Sequence, residues 1–282
     1  MTFELQSTAC DASNDSPPLP ATESAPAGYF RKYRKFRSKF LDRERDVIVY
    51  LPPRYGVERK RRYPVLYFND GQNLFDGATS YVPGRDWRFH LTADSLINSG
   101  AIEPLIIVGI YNTGTHRMDE YTPTRDRGVN AGGQADLYGR LIVEELKPLI
   151  DARHRTLKDL ANTGLGGSSL GGLVSIYLGL KYPQVFGKLA LVSPSVWWDK
   201  RRIIRMVRSL KQKPELRIWL DTGMKEGART LRNTALMRDA LIARGWVLNE
   251  DLMYLEVEGA DHSETAWANR VADVLKYLFP QS

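Results

Sequence analysis

The stretch Gly167-Ser168-Ser169-Leu170-Gly171 decides how the chain is read. It follows an extended segment and opens the helical stretch Gly172–Lys181, so a G-x-S-x-G pattern falls where a strand turns directly into a helix. A turn tight enough to expose a serine Oγ above a sheet needs small residues two places to either side, because larger side chains would collide with the backbone. Gly166, Gly167, Gly171 and Gly172 supply that room. At this glycine content a chance match is expected about 0.1 times in a chain of this length, so the strand-turn-helix context carries the reading more than the bare pattern does. The competing reading is a glycine-rich helix start that binds phosphate or only packs closely. A dinucleotide fingerprint beginning at Gly164 and Gly166 would need glycine where Ser169 stands, and no G-x-x-x-x-G-K-[ST] run occurs. Ser169 is therefore the candidate nucleophile.

Outward from this turn, short continuous apolar runs alternate with helix-length amphipathic segments. The runs are Val65–Phe68, Leu105–Ile110, the segment reaching Gly164–Gly167, Phe186–Val192, Leu216–Leu220 and Leu252–Val257. Helical patterns lie between or after them at about 90–99, 134–150, 170–181, 200–210, 229–244 and 264–278. Upstream, Phe36 and Phe40 alternate with charges, as do Val47, Val49 and Leu51, with Asp42-Arg43 between, which predicts an antiparallel hairpin. The expected fold is α/β: a mostly parallel central sheet with an antiparallel N-terminal edge hairpin and helices on both faces. Residues 1–28, rich in Ser, Ala, Thr and Pro, read as a disordered tail, and residues 29–282 as one domain.

The 282 residues are 43% hydrophobic and 26% charged, ordinary for a globular chain with a sizeable core. The net charge of +7 invites a polyanion-binding reading, but the charge is local. Residues 1–30 carry four acids and no bases, residues 31–62 carry thirteen bases and four acids, and the rest of the chain is nearly neutral. Lys and Arg on an edge hairpin commonly protect a sheet edge, and no basic-aromatic motif accompanies them, so no nucleic-acid partner is expected. A single cysteine, Cys10, leaves neither a disulfide nor a thiolate-rich metal site. No charged leader precedes an apolar run, and no run of about 20 apolar residues exists, so a membrane span is not expected and the cytoplasm is the expected compartment.

If Ser169 is a nucleophile, an acid and then a histidine should follow it in the chain. Of the four histidines only His262 lies downstream, in Gly259-Ala260-Asp261-His262-Ser263, between the last predicted strand and the last helix. The acid should sit after the strand Leu216–Leu220, where Asp221 and Glu226 both qualify and residue chemistry alone does not separate them. An oxyanion hole needs two backbone N–H groups. One belongs to Leu170, the residue after the nucleophile, and the other to Gln72 in the loop Asn69-Asp70-Gly71-Gln72-Asn73-Leu74-Phe75.

These residues resemble the esterase group of α/β-hydrolases that includes carbohydrate esterase family one (feruloyl and acetylxylan esterases), enterochelin-type siderophore esterases, S-formylglutathione hydrolase and mycolyltransferases. The resemblance spans about residues 30–280. It rests on Asp70 through Phe75, Val108-Gly109-Ile110 with Asn112, Glu120-Tyr121-Thr122-Pro123, Gly166 through Gly172, Ser193-Pro194-Ser195 with Trp197-Trp198, Gly223-x-x-Glu226, and His262. It implies that the acid is the last residue of G-x-x-[DE], which is Glu226, with Asp221 as the alternative. The position before Gly71, often His in related enzymes, is Asp70 here, which leaves the backbone donor untouched.

Trp197 and Trp198, following a strand at the ligand-binding end of the sheet, are candidates to stack on a sugar or aromatic acyl group. Asn112, Arg117, Glu120 and Tyr121 are candidates to line the same cleft. The expected activity is a serine carboxylic-ester hydrolase without cofactor or metal, acting on a small-molecule or saccharide ester such as an acyl or feruloyl sugar ester or a siderophore-type ester. An acyltransferase on the same residues and a non-catalytic binding module are the alternatives.

Overall fold

Side chains that alternate along extended strands give a sheet two apolar faces, and here both are covered. In the computed structural model, which describes residues 25–281, the strands are β1 (Tyr29–Phe36), β2 (Arg45–Leu51), β3 (Val65–Asn69), β4 (Ile106–Ile110), β5 (Arg125–Asp126), β6 (Ala131–Gly132), β7 (Thr163–Ser168), β8 (Lys188–Val192), β9 (Arg217–Gly223) and β10 (Leu252–Val257). β5 and β6 pair only with each other, and the rest form one sheet in the order β1-β2-β4-β3-β7-β8-β9-β10. β3, β4 and β7 to β10 run parallel, while β1 and β2 form an antiparallel hairpin joined to β4. The helices are α1 (Phe89–Asn98), α2 (Arg117–Glu120), α3 (Ala135–Arg140), α4 (Lys147–Arg153), α5 (Leu170–Lys181), α6 (Trp198–Arg208), α7 (Ala228–Ile242), α8 (Glu264–Ala268) and α9 (Val271–Leu278).

Val47, Val49, Tyr67, Val108, Leu189, Leu191 and Leu220 point to a core shared with α3 to α7. Ile48, Tyr50, Leu66, Phe68, Ile107, Val192 and Trp219 point to the other, shared with α1 and α9. This is the doubly covered, mostly parallel sheet that the alternation predicts. Parallel strands leave their C-terminal ends on one edge, so the loops after β3, β4, β7, β8, β9 and β10 gather there.

Several details differ from the sequence reading. β1 ends at Phe36, because Lys35 turns to φ 53° and the register shifts between Tyr33 and Phe36. Phe40 lies beyond the strand, under the guanidinium of Arg140. The pattern at 134–150 is interrupted by a π-helical turn, Leu141–Leu146, and that at 264–278 breaks into α8 and α9 around Arg270, whose side chain is drawn inward. The expected tail lies outside the described residues up to residue 24. Its last residues are tied to α1, where Asn98 Nδ2 donates to the Pro26 carbonyl and Asp94 Oδ1 accepts from the Gly28 N–H. Among the described residues no helix is long and apolar enough to cross a membrane.

The basic hairpin is not wholly solvated charge. Arg45 is 3% exposed and donates twice, at 2.9 Å each, to the carboxylate of Glu120, itself 1% exposed. A buried bidentate pair is costly to break because the remaining charge has no water. Arg45→Ala is expected to lower the unfolding free energy by about 3–5 kcal/mol, and the double change Arg45→Met with Glu120→Leu to recover most of it. Urea titrations check both, and an Arg45→Ala midpoint equal to wild type would contradict the assignment.

Candidate active site

The turn between β7 and α5 holds Ser169 at φ 55° and ψ −120°, a backbone state that L-residues rarely enter. Its surroundings leave little alternative. A Cβ on Gly167 would lie 2.8 Å from the Gly171 carbonyl carbon, and one on Gly172 would lie 2.9 Å from Pro194 Cβ. Asn69, at the C-terminal end of β3, fastens the turn from beneath. Its Nδ2 donates to the carbonyls of Gly166 (2.9 Å) and Gly171 (3.1 Å), while its Oδ1 accepts from Tyr138 Oη at 2.6 Å.

His262, in the loop after β10, places Nε2 3.1 Å from Ser169 Oγ and Nδ1 2.8 Å from Glu226 Oε2. The imidazole is half-exposed and packs edge-on against Trp267, whereas the Glu226 carboxylate is buried. Burial alone would raise the Glu226 carboxyl, but hydrogen bonds from His262, the Ser193 hydroxyl and the Gly223 N–H overcome it and hold the group below its ordinary value of 4.5. Asp221, the alternative acid, does not face His262. It is fully buried and takes hydrogen bonds from Arg270 Nη1 (2.5 Å), Trp219 Nε1 (2.7 Å) and the Ser193 N–H (3.0 Å). Arg270 Nη1 also donates to Ser193 Oγ, and that hydroxyl donates to Glu226 Oε1. Asp221 thus stands one layer behind Glu226 and is linked to it through Arg270 and Ser193.

A cleft of about 770 Å³ opens over Ser169 and His262. Gln72, Leu170, Asn112 and Arg117 line it, together with Tyr81, Val82, Arg85, Met118 and Glu264. Leu170 is the first residue of α5, so its N–H has no acceptor within the helix. Gln72 sits in a helical turn, Gly71–Asn73, pressed so closely onto β4 that a Cβ on Gly71 would come 2.4 Å from the Gly109 carbonyl carbon. Asp70, at φ 60°, anchors the turn by accepting from Asn112 Nδ2, Arg117 Nε and Arg117 Nη2, each at 2.7 Å.

Four candidate pocket residues lie elsewhere. Glu120 is occupied by Arg45 beneath the site. Tyr121 is fully buried, and its hydroxyl accepts from the Asp70 N–H at 3.2 Å. Trp198 is buried and donates from Nε1 to the Thr124 carbonyl, so it is core. Trp197 is 40% exposed but lines a groove between α6 and α7. Position after a strand placed both tryptophans at the right end of the sheet without giving the direction of their side chains.

Sequence reasoning named Asn69, Ser193 and Ser195 within motifs without giving them a role, and passed over Arg270 and Glu264. An asparagine closing the apolar run Val65–Phe68 was the available signal for Asn69. Ser195 Oγ lies 3.1 Å from Ser169 Oγ. Glu264 caps the rear of the cleft, accepting from Asn73 Nδ2 and Trp87 Nε1, and burial pushes its carboxyl up.

Residues 38–278 match the family described as Putative esterase. An uncharacterized protein, YbbA, from Bacillus subtilis is 28% identical over 244 residues, 82% of this chain and 91% of its own length. An endo-1,4-beta-xylanase/feruloyl esterase from Xylanibacter ruminicola is 28% identical over 237 residues, 82% of this chain but 29% of that protein. Among solved structures, an enterobactin esterase from Shigella flexneri superposes with a TM-score of 0.70 at 20% identity, over 90% of this chain and 61% of the other. With the match running from the turn after β1 through the last helix, the chain belongs to this esterase family and is a carboxylic-ester hydrolase.

Proposed function

We propose that the chain is a serine esterase that works through an acyl-enzyme on phenolic acyl esters of saccharides. The observation that carries the reading is the unbroken relay from Ser169 Oγ through both ring nitrogens of His262 to Glu226. With Nδ1–H donated to Glu226, Nε2 is left as the base. Ser169 Oγ attacks the acyl carbonyl as its proton passes to Nε2, and the oxyanion is held by the N–H groups of Leu170 and Gln72. Collapse of the tetrahedral adduct expels the alcohol, which takes the proton from His262. Water then attacks the acyl-enzyme by the same route, releasing the acid and restoring Ser169.

The cleft lining supports the substrate class. Tyr81, Val82 and Met118 offer aromatic and apolar surface for an acyl ring, and Asn112 and Arg85 offer polar contacts at its rim. The feruloyl-esterase relative points the same way.

Methyl ferulate, acetylated xylan, p-nitrophenyl acyl esters and a catecholate siderophore, each offered to wild type and Ser169→Ala, test the reading. Methyl ferulate is expected to be the best substrate, and Ser169→Ala to lose on the order of 10⁶ in kcat. Unchanged turnover in that variant would sink the mechanism, and preference for the siderophore would move the substrate class. Acyl product formed on an added sugar would instead reveal transfer.

Glu226→Gln is expected to cost about 10⁴ in kcat, since a neutral amide leaves the imidazole in the wrong tautomer. Loss confined to Asp221→Asn would show that the acid is misassigned. The depressed Glu226 carboxyl has a second consequence. Its stabilising contribution is fully present above the unfolded value near 4.5 and is lost as pH falls through the lower folded value. Stability measured from neutral to acid pH is therefore expected to fall less steeply in Glu226→Gln than in wild type, and parallel acid limbs would contradict this.

A further inference from the structure

Helices α6 and α7 pack side by side, and two adjoining grooves of about 520 and 350 Å³ lie between them. Lys200, Arg201, Arg205 and Arg208 line them from α6, and Arg229 and Arg232 from α7. Lys200, Arg201 and Arg232 border both, so the two are one continuous channel. Among the described residues no carboxylate lines either part, and none of these six cations has a carboxylate within 4.0 Å. Elsewhere on the surface Arg140, Lys181, Lys213 and Arg238 are each ion-paired.

The backbone takes part in this gathering of charge. Asp199, Lys200 and Arg201 are consecutively left-handed, at φ 42°, 53° and 64°. L-residues adopt such a run only where surrounding structure imposes it. It is pinned by Arg205, which donates to the carbonyls of Lys200 and Asp199, and by Thr124, which donates to the Asp199 carboxylate at 2.7 Å. The one carboxylate in this segment is thereby engaged with Thr124, while Lys200 and Arg201 border the channel. At its upper end stands Trp197, 40% exposed and braced against Trp198 at 5.8 Å.

That end is close in the chain to groups of the cleft. Trp197 is two residues past Ser195, whose hydroxyl is 3.1 Å from Ser169 Oγ, and Arg229 is three past Glu226. Beyond the left-handed run the channel follows the regular part of α6 from Ile204 to Arg208, roughly 6 Å.

We infer that this channel binds the anionic backbone of an acidic polysaccharide, a chain bearing uronic-acid carboxylates, whose ester-linked acyl group reaches the cleft over Ser169. The inference rests on the esterase reading above and adds a second site to it. Guanidinium groups match carboxylates in bidentate geometry, and an indole face stacks on one sugar ring. A nucleic-acid strand is matched less well, because grooves that track one combine cations with successive aromatic platforms, and Trp197 is the single aromatic residue lining this channel among the described residues.

Affinity electrophoresis of the full chain, carrying Ser169→Ala, through gels containing polygalacturonate, dextran or single-stranded RNA tests the inference. Retardation is expected with polygalacturonate and not with dextran, weakening several-fold as salt is raised. Adding Arg201→Glu and Arg232→Glu is expected to weaken it at least about tenfold, and Trp197→Ala several-fold. In the active chain the same charge reversals should leave p-nitrophenyl acetate turnover within about twofold, which also shows that the variants fold. Absence of retardation by polygalacturonate, retention undiminished by the reversals, or tighter binding of RNA would each overturn the inference. Reversal-sensitive retention by a chain that hydrolyses no ester would keep the channel and refute the esterase mechanism instead.

Discussion

Ser169 can stand above the sheet only because the backbone there is forced into a state it would otherwise leave, at φ 55° and ψ −120°. Such a residue costs of order 1–3 kcal/mol and persists where its neighbours over-determine it. Those neighbours are specific. Gly167 and Gly171 let the chain cross itself at van der Waals contact, and the Asn69 amide ties the carbonyl before the turn to one after it. The same turn starts α5, so the hydroxyl and the unpaired N–H of Leu170 are placed together by one local geometry. Gly71, pressed on Gly109, brings the second candidate donor to the same edge.

Around this turn, charge is arranged so that one carboxylate faces the imidazole. Arg45 takes Glu120 and Arg270 takes Asp221 in sites from which water is largely excluded, and Arg117 takes Asp70 at the wall of the cleft. Glu226 keeps the oxygen that meets His262, while its other oxygen is fixed by Ser193 and Gly223. Fixed donors on one oxygen set the orientation of the other, and they keep the group ionised against the effect of burial. Mutual support of this kind also explains why the buried Asp221, so near the site, does not face His262.

The sequence made the sheet, its helices and the turn at Ser169 legible because each depends on local periodicity or on glycine at fixed offsets. His262 was proposed as the base by elimination, and Gln72 and Leu170 as donors by their positions relative to strand ends, and all three line the cleft with Ser169. Glu226 and Asp221 were separable only through family resemblance, since they stand five residues apart at the end of one strand and which of them faces His262 depends on the long-range contact of Asp221 with Arg270. The tryptophans and Glu120 were misplaced for a related reason: chain position gives the end of an element, whereas side-chain direction depends on packing partners distant in sequence. The +7 charge likewise divides in the structure into a buried ion pair at Arg45, a solvated hairpin, and a channel at α6 and α7 that segment-wise counting averaged away.

The esterase chemistry proposed for this site turns on one activated hydroxyl. Treatment with an alkyl fluorophosphonate, followed by peptide mass spectrometry, reads that activation directly. The account predicts a single stoichiometric phosphonyl adduct on Ser169, formed far more slowly when His262 is replaced by alanine. An adduct on another residue, or labelling of Ser169 at a rate indifferent to His262, would contradict it.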